Sequence, residues 1–301
     1  MKLPDLAELL ALRGAARGLD LHARRPLLSR LQGARRSAWR GRGLEFEELR
    51  PYVAGDNVRD IDWRVTARRG RVHTRLYREE RERPVWLLAD LHPGMFFGSR
   101  RQLKSAALLR AAALLTWAAV LGGDRVGAVI GGGAAAGAPL LLPPRAREAG
   151  AAPLLQALTA AQPRRAGEAA AAGGLDALLK ALAPLLHPGA LVLLLSDFSS
   201  LDAAAADRLA GLAAHGDGRL LWLVDPLECN GLPDGVFRVG LSPKQAWTLD
   251  GERSRAAWRA AWEQRQLRLQ ALSERLRLPL NTLRTDQDMT LTLTALLRES
   301  P

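Results

Sequence analysis

Apolar positions along this chain fall into three patterns. Short runs with almost no polar interruption occupy residues 85–89 (VWLLA), 190–195 (ALVLLL) and 219–224 (RLLWLV). Runs of that length suit strands buried on both faces, as in a parallel sheet. Each is followed by an acid: Asp90, Asp197 after Ser196, and Asp225. Longer helical stretches predict helices over residues 99–121, 146–161, 175–186, 201–214, 252–276 and 289–297. On the 252–276 helix, Trp258, Trp262, Leu269, Leu272 and Leu276 share one face, which reads as core packing or helix docking rather than base stacking. Period-two alternation marks a strand with one wet face, in which Val72, Thr74 and Leu76 interleave with Arg71, His73, Arg75 and Tyr77.

The remaining elements follow from punctuation. Gly122 and Gly123 stop the 99–121 helix, and residues 125–130 (RVGAVI) form the next strand. A strand, helix, strand unit with short connections implies a right-handed parallel crossover. The link to residues 139–142 is too short for a crossover, so that strand should run antiparallel at an edge. Residues 162–174 (QPRRAGEAAAAGG) read as a loose connector, residues 236–241 and 246–249 as a hairpin, and residues 280–283 as a closing strand. Near the start, Leu3, Leu6, Leu9, Leu10 and Leu12 suggest one helix, and Leu27, Leu28 and Leu31 a short second one. The charge cluster at residues 78–83 and Pro84 mark a boundary. The expected organisation is therefore residues 1–83 as an N-terminal helical and β-containing region, and residues 84–301 as an α/β domain with a mostly parallel sheet. Carboxyl ends of parallel strands are where such sheets bind ligands, so Asp90, Asp197 and Asp225 define an acidic edge.

Residues 41–68 (GRGLEFEELRPYVAGDNVRDIDWRVTAR) show no helical or strand period. They are dense in residues with specific chemistry, which reads as a folded loop network. Asp56, Asp60 and Asp62 could act as paired carboxylates. The better reading is Asp56 as a turn cap after Gly55, and Asp60 and Asp62 in an ion-pair lattice with Arg59, Arg64 and Arg68.

Composition changes this picture little. The 301 residues are 48% apolar and 25% charged, ordinary for a globular chain. The net charge of +12 comes almost entirely from Arg, because Lys occurs only at 2, 104, 180 and 244. With the Ala, Leu and Gly excess, that looks like the codon bias of a GC-rich genome as much as a selected surface. Residues 1–83 hold 20 Lys and Arg against 12 Asp and Glu, so +8 lies there. Such a region could meet nucleic acid or an anionic surface, although its basic residues are mixed with acids. A single cysteine, Cys229, excludes an intrachain disulfide and a CxxC metal site. The most apolar run, residues 111–123, is about 13 residues, short of the ~20 that a membrane span needs. Asp5 and Glu8 interrupt what would be the apolar core of a signal peptide, so the expectation is a cytoplasmic protein without a membrane span. There is no G-x-x-x-x-G-K-[ST] loop for ATP, no plausible spacing around Ser196 for a hydrolase triad, and no sequence cluster among the five histidines.

The chain resembles the family catalogued as domain of unknown function 58. The resemblance is carried by G-x-G-L-E-F-E-E-L-R-P-Y over residues 41–52, G-D-N-V-R-D-I-D-W over 55–63 and T-A-R over 66–68. It continues through the Asp90 loop, GDRVG at 123–127, LLLSDF at 193–198 and DPLE at 225–228. Gly41, Gly43, Glu45, Phe46, Arg50, Tyr52, Gly55, Asp56, Arg59, Asp60, Asp62, Trp63 and Arg68 are its signature positions here, expected to form a structural clasp. The resemblance implies a von Willebrand factor A-like domain with a Rossmann-type α/β sandwich. It also implies a bacterial partner of a MoxR-type AAA+ ATPase, a non-enzymatic adaptor that assists maturation or assembly of a client protein.

Such domains often carry a metal-ion-dependent adhesion site, built from D-x-S-x-S after the first strand, a Thr in a middle loop and an Asp after the fourth strand. Asp90 and Asp197 match the two Asp positions. His92 and Gly94 stand where the two Ser would be, and Leu175 replaces the Thr in Gly173-Gly174-Leu175-Asp176. Mg²⁺ wants six oxygen ligands, and three protein oxygens are missing. The expectation is a degenerate site with no bound metal, in which Asp90 and Asp197 could at best hold Mg²⁺ weakly through water. The rim around Asp90, His92, Asp176 and Asp197 is the expected docking face. Nucleic-acid or anionic-surface binding through the Arg-rich N-terminal region is the alternative.

Overall fold

The computed structural model describes residues 1–21, 44–53, 58, 61–79, 83–132, 138–164, 174–240 and 246–298. The short helix expected near Leu27, residues 165–173 of the connector, and Gly41, Gly43, Gly55, Asp56, Arg59 and Asp60 lie outside these. The chain divides into two compact units, Pro26–Glu82 and the remainder, Met1–Arg25 with Arg83–Pro301.

The larger unit is built on a six-stranded sheet. Its strands are β3 (Pro84–Leu91), β4 (Arg125–Gly132), β5 (Leu140–Ala146), β6 (Leu191–Ser196), β7 (Asp217–Val224) and β10 (Leu280–Arg284), in the order β10-β7-β6-β3-β4-β5. All neighbours are parallel except β5, which runs antiparallel to β4 at one edge. Every residue of β6 is buried, as is every residue of β3 after Pro84, because helices cover both faces. Alternate residues of β3 serve the two cores. Val85, Leu87, Ala89 and Leu91 face one with α4 (Lys104–Leu121) and α5 (Glu148–Ala161), while Trp86 and Leu88 face the other with α6 (Gly174–Leu182), α7 (Ala203–His215) and α9 (Gly251–Leu276). The fold is thus an α/β sandwich of Rossmann type with a mostly parallel central sheet.

Helix α4 is the centre of the first core. It is apolar all round and buried along most of its length, as befits a helix covered on every side. Starting at Lys104 makes it 18 residues long with mean hydropathy 1.4, enough for a short membrane span by length and composition. Yet 83% of it is enclosed within the domain. Against it packs the N-terminal segment, α1 (Leu6–Ala11) and α2 (Arg13–Ala16). Leu9 is fully buried, its carbonyl accepts from Trp117 Nε1 at 3.1 Å, and Glu8 pairs with Arg110 at 2.6 Å. This differs from an N-terminal region running unbroken from 1 to 83: the first helix belongs to the α/β unit, because its one apolar stripe finds its partner on α4.

The smaller unit departs most from expectation. Residues 41–68 are not only loop: they contain strand β1 (Leu44–Pro51) and helix α3 (Trp63–Arg69). β1 pairs antiparallel with β2 (His73–Glu79), the strand read from alternation. Its register shifts between Phe46 and Glu48, so one extra residue turns the chain over and cancels the period of two. Outside both units' sheets, β8 (Val236–Gly240) and β9 (Ala246–Asp250) make the expected hairpin ahead of α9. α8 (Pro226–Asn230) follows β7, and α10 (Met289–Arg298) closes the chain.

Candidate functional site

The sheet reverses its winding between β3 and β6. From β3 the chain moves to β4, and from β6 it moves to β7, on the opposite side. Ligand crevices in open α/β sheets form at such a point, beyond the carboxyl ends of the strands. Asp90 is the last residue but one of β3, Asp197 directly follows β6, and Asp225 directly follows β7.

Asp197 is the hub. Its side chain is 3% exposed and is met by the Lys104 ammonium and by the His92 imidazole. Lys104 Nζ lies 2.5 Å from Oδ2, and His92 Nε2 donates to Oδ1 at 3.1 Å. Ser199 N also donates to Oδ1, at 2.9 Å. The Asp197 carbonyl accepts from Trp222 Nε1 at 3.2 Å and from Arg265 Nη2. Burial alone would raise the Asp197 carboxyl, but the His92 hydrogen bond and the Lys104 charge outweigh it and hold the group well below its ordinary 3.8.

Lys104 is equally enclosed, with a side chain 4% exposed. Its ammonium also reaches Glu228 Oε1 at 2.9 Å. Burial would lower its pKa; the charges of Asp197 and Glu228 prevail and raise it, so it stays an ammonium. For His92, burial likewise opposes the charged form, and the hydrogen bond to Asp197 overcomes it, so its pKa is raised. Its Nδ1 accepts from Gly94 N at 3.2 Å.

Asp90 has a different environment. Ser196 Oγ donates to Oδ2 at 2.7 Å, and Ser196 Oγ in turn accepts from Phe198 N at 2.8 Å. Burial dominates here and raises the Asp90 pKa. Asp225 is structural: it caps α8 in a capping box with Glu228 and accepts from Ser99 N at 2.8 Å, Ser99 Oγ, and Thr285 Oγ1 at 2.6 Å. Glu228 therefore holds the cap with Oε2 and Lys104 with Oε1. One hydrogen-bonded chain runs from His92 through Asp197, Lys104 and Glu228 to the backbone of Asp225.

Of the adhesion-site positions, Asp90, His92, Gly94 and Asp197 come together, but Leu175 and Asp176 do not join them. Leu175 is a fully buried core residue whose backbone N donates to Ser200 Oγ at 3.2 Å, and Asp176 pairs with Arg208 at 2.5 Å. The carboxylates cannot themselves form a docking face, since Asp90 and Asp197 are each only 2% exposed. What reaches solvent at this edge is Gly94, Phe97, Ser199 and Arg100. The residues do not fit a resident divalent ion: the hydroxyl donors at 92, 94 and 175 are gone, and the oxygen an ion would use on Asp197 is bonded to Lys104. Among the described residues, no three His, Cys, Asp or Glu side chains converge as a ligand set. Lys104 and Glu228 were invisible to spacing. The available signal was that Lys104 is one of four lysines in an arginine-rich chain and heads its most apolar helix.

In the smaller unit, Asp62 is an N-cap: Oδ1 accepts from Arg64 N at 3.0 Å and Val65 N at 3.1 Å. Helix α3 begins at the next residue and leaves those donors to be satisfied, so the cap is the described role of Asp62. Arg50 Nη1 donates to the Pro51 carbonyl at 3.1 Å, and Tyr52 N to Val72 O at 2.8 Å. Glu45 and Phe46 are placed by backbone pairing alone, opposite Arg78 and Tyr77. Trp63 is 64% exposed, and Arg68 is exposed on the same short helix.

Among solved structures, the chain is similar to the conserved hypothetical protein BatB from Bacteroides thetaiotaomicron, with TM-score 0.43 and 12% identity over 72% of this chain and 96% of that one. It is 34% identical over 119 residues to the uncharacterized proteins Rv1480 of Mycobacterium tuberculosis and Mb1516 of Mycobacterium bovis. That match covers 40% of this chain and only 38% of those relatives' length. The family described as protein of unknown function DUF58 matches residues 48–271, which takes in the second half of β1, α3, the acidic strand ends and most of α9, and the chain belongs to that family.

Proposed function

We propose that this protein is a non-enzymatic adaptor of von Willebrand A-like type that docks a MoxR-type AAA+ ATPase and helps it act on a client protein in the cytoplasm. One observation carries the reading. The polar groups at the strand ends are consumed by one another, with Asp197 bonded to His92, Lys104 and Ser199 and Glu228 tied to Lys104 and its own helix cap. A catalytic site needs a nucleophile or base left free to meet substrate. A docking edge needs a rigid, preorganised rim, which an interlocked network supplies. Phe97, 37% exposed, is the apolar anchor at that rim. Co-purification with a MoxR-type ATPase of the same organism, with and without a non-hydrolysable ATP analogue, is the test. A complex that Phe97→Ala weakens without lowering Tm is expected. No association in either nucleotide state overturns the reading.

A second reading has its own observation. Helix α3 and the turn after it expose Arg64, Arg68, Arg69 and Arg71 beside Trp63. Cations flanking an aromatic face suit a polyanion such as single-stranded nucleic acid.

A further inference from the structure

We infer that Lys104 is a built-in cation that takes the place of a divalent ion at the carboxyl edge of the sheet, and that removing its ammonium converts the edge into a divalent-cation site. The inference stands on geometry and holds whether or not the chain is an ATPase adaptor. A buried carboxylate and a half-buried one meet at one point: Asp197 Oδ2 lies 2.5 Å and Glu228 Oε1 2.9 Å from the same nitrogen. Two carboxylates that close repel one another, and the cation between them offsets that repulsion. The cation is held on the first residue of α4, and its own helix packs it there. The Phe97 ring lies 5.7 Å below the ammonium. Lys104 N donates to Phe97 O at 2.7 Å, which fixes the loop that carries His92 and Gly94 relative to the helix.

The ammonium therefore does what a bound ion does in such an edge. It links the end of β6, through Asp197, to the start of α8, through Glu228, and gathers the loop after β3 around them. It differs in being covalently attached, so it does not exchange or respond to chelators. It also cannot present an open coordination position to an acidic residue of a partner. Truncation to Ala leaves Asp197 Oδ2 and Glu228 Oε1 facing a gap of about one side-chain end, with His92 on the other oxygen of Asp197. Carboxylates with an imidazole alongside suit Mn²⁺ or Zn²⁺ better than Mg²⁺.

Calorimetric titration and thermal melts of the full chain, with MnCl₂, ZnCl₂ and MgCl₂ as probes and EDTA as control, test this. The wild type is expected to give no stoichiometric heat and the same Tm with metal or chelator. Lys104→Ala is expected to lose roughly 10 °C in Tm in EDTA, because it leaves uncompensated buried charge. It should recover part of that loss with Mn²⁺ or Zn²⁺ and bind one equivalent. The Lys104→Ala/Asp197→Asn double variant is expected to lose less than Lys104→Ala and to show no metal response. Should Lys104→Ala be too unstable to purify, its refolding yield with and without Mn²⁺ or Zn²⁺ decides: metal-dependent recovery supports the inference. Stoichiometric ion binding by the wild type overturns it. So does a Lys104→Ala protein, folded or refolding, on which none of these ions has any effect.

Discussion

At the scale of single residues, the acidic edge is governed by which carboxylate has a cation. Asp197 and Asp90 end adjacent parallel strands, yet burial wins at Asp90 and loses at Asp197. The pH consequence follows from the direction at Asp197. Its folded pKa is depressed, so its stabilising contribution is present above the ordinary 3.8 and is lost as pH falls through the depressed value. Asp197→Asn should therefore melt below the wild type at neutral pH. That gap should stay wide down to about pH 4 and close in stronger acid. A gap that widens on acidification would contradict the assignment. Asp225 makes a prediction independent of charge balance. It satisfies Ser99 twice, Thr285 and the first turn of α8, all with one carboxylate. Asp225→Ala should cost about 3 kcal/mol, read from urea unfolding, because buried donors lose their acceptor. A cost under ~1 kcal/mol would show that water replaces it.

At the scale of elements, the long helix α9 illustrates packing that a helical period only partly exposes. Of its 26 residues, only Gly251, Leu269 and Leu272 are buried. Further attachment comes from Arg265, Leu276 and polar-edged aromatics. Trp262 stacks on Trp222 with centroids 4.9 Å apart, and Trp258 Nε1 donates to Glu228 O at 3.0 Å. Trp222 in turn donates to the Asp197 carbonyl, so the stack supports the site from behind. Trp262→Ala should destabilise by about 2 kcal/mol, less than a fully buried Trp, and should leave the Asp197 network formed. Differential scanning calorimetry checks the first, and a preserved Tm gap between wild-type and Asp197→Asn backgrounds checks the second. Elements also differ in how readable they are. β3, β6 and β7 announce themselves as apolar runs because sheets covered on both faces need apolar residues at every position. β1 was hidden by its bulge, and α3 by having only seven residues and no buried side chain. α4 starts at Lys104 rather than at 99, because Ser99 is drawn away to Asp225.

At the scale of the whole molecule, residues 26–82 hold 14 Lys and Arg against 9 Asp and Glu, so +5 of the net charge of +12, and Arg64, Arg68, Arg69 and Arg71 among them are exposed. If α3 binds a polyanion, affinity for a single-stranded oligonucleotide should fall linearly in log–log form with salt. The double variant Arg68→Glu/Arg69→Glu should flatten that slope by about two contacts. Fluorescence anisotropy at low ionic strength with no binding would leave the docking edge as the functional surface. The order of the main elements of the larger unit, its parallel sheet with one antiparallel edge strand and the three acids at strand ends were determined by the sequence alone. The physical cause is local, since burial on two faces, alternation on one and short connections each leave a pattern within a few residues. Which carboxylate would be neutralised was decided only by the tertiary structure. Asp197 and Glu228 lie 93 and 124 positions from Lys104, and nothing periodic connects them. The crossover of the chain between β3 and β6 brings them to one point. There the cost of burying charge leaves the lysine ammonium as the partner of both acids.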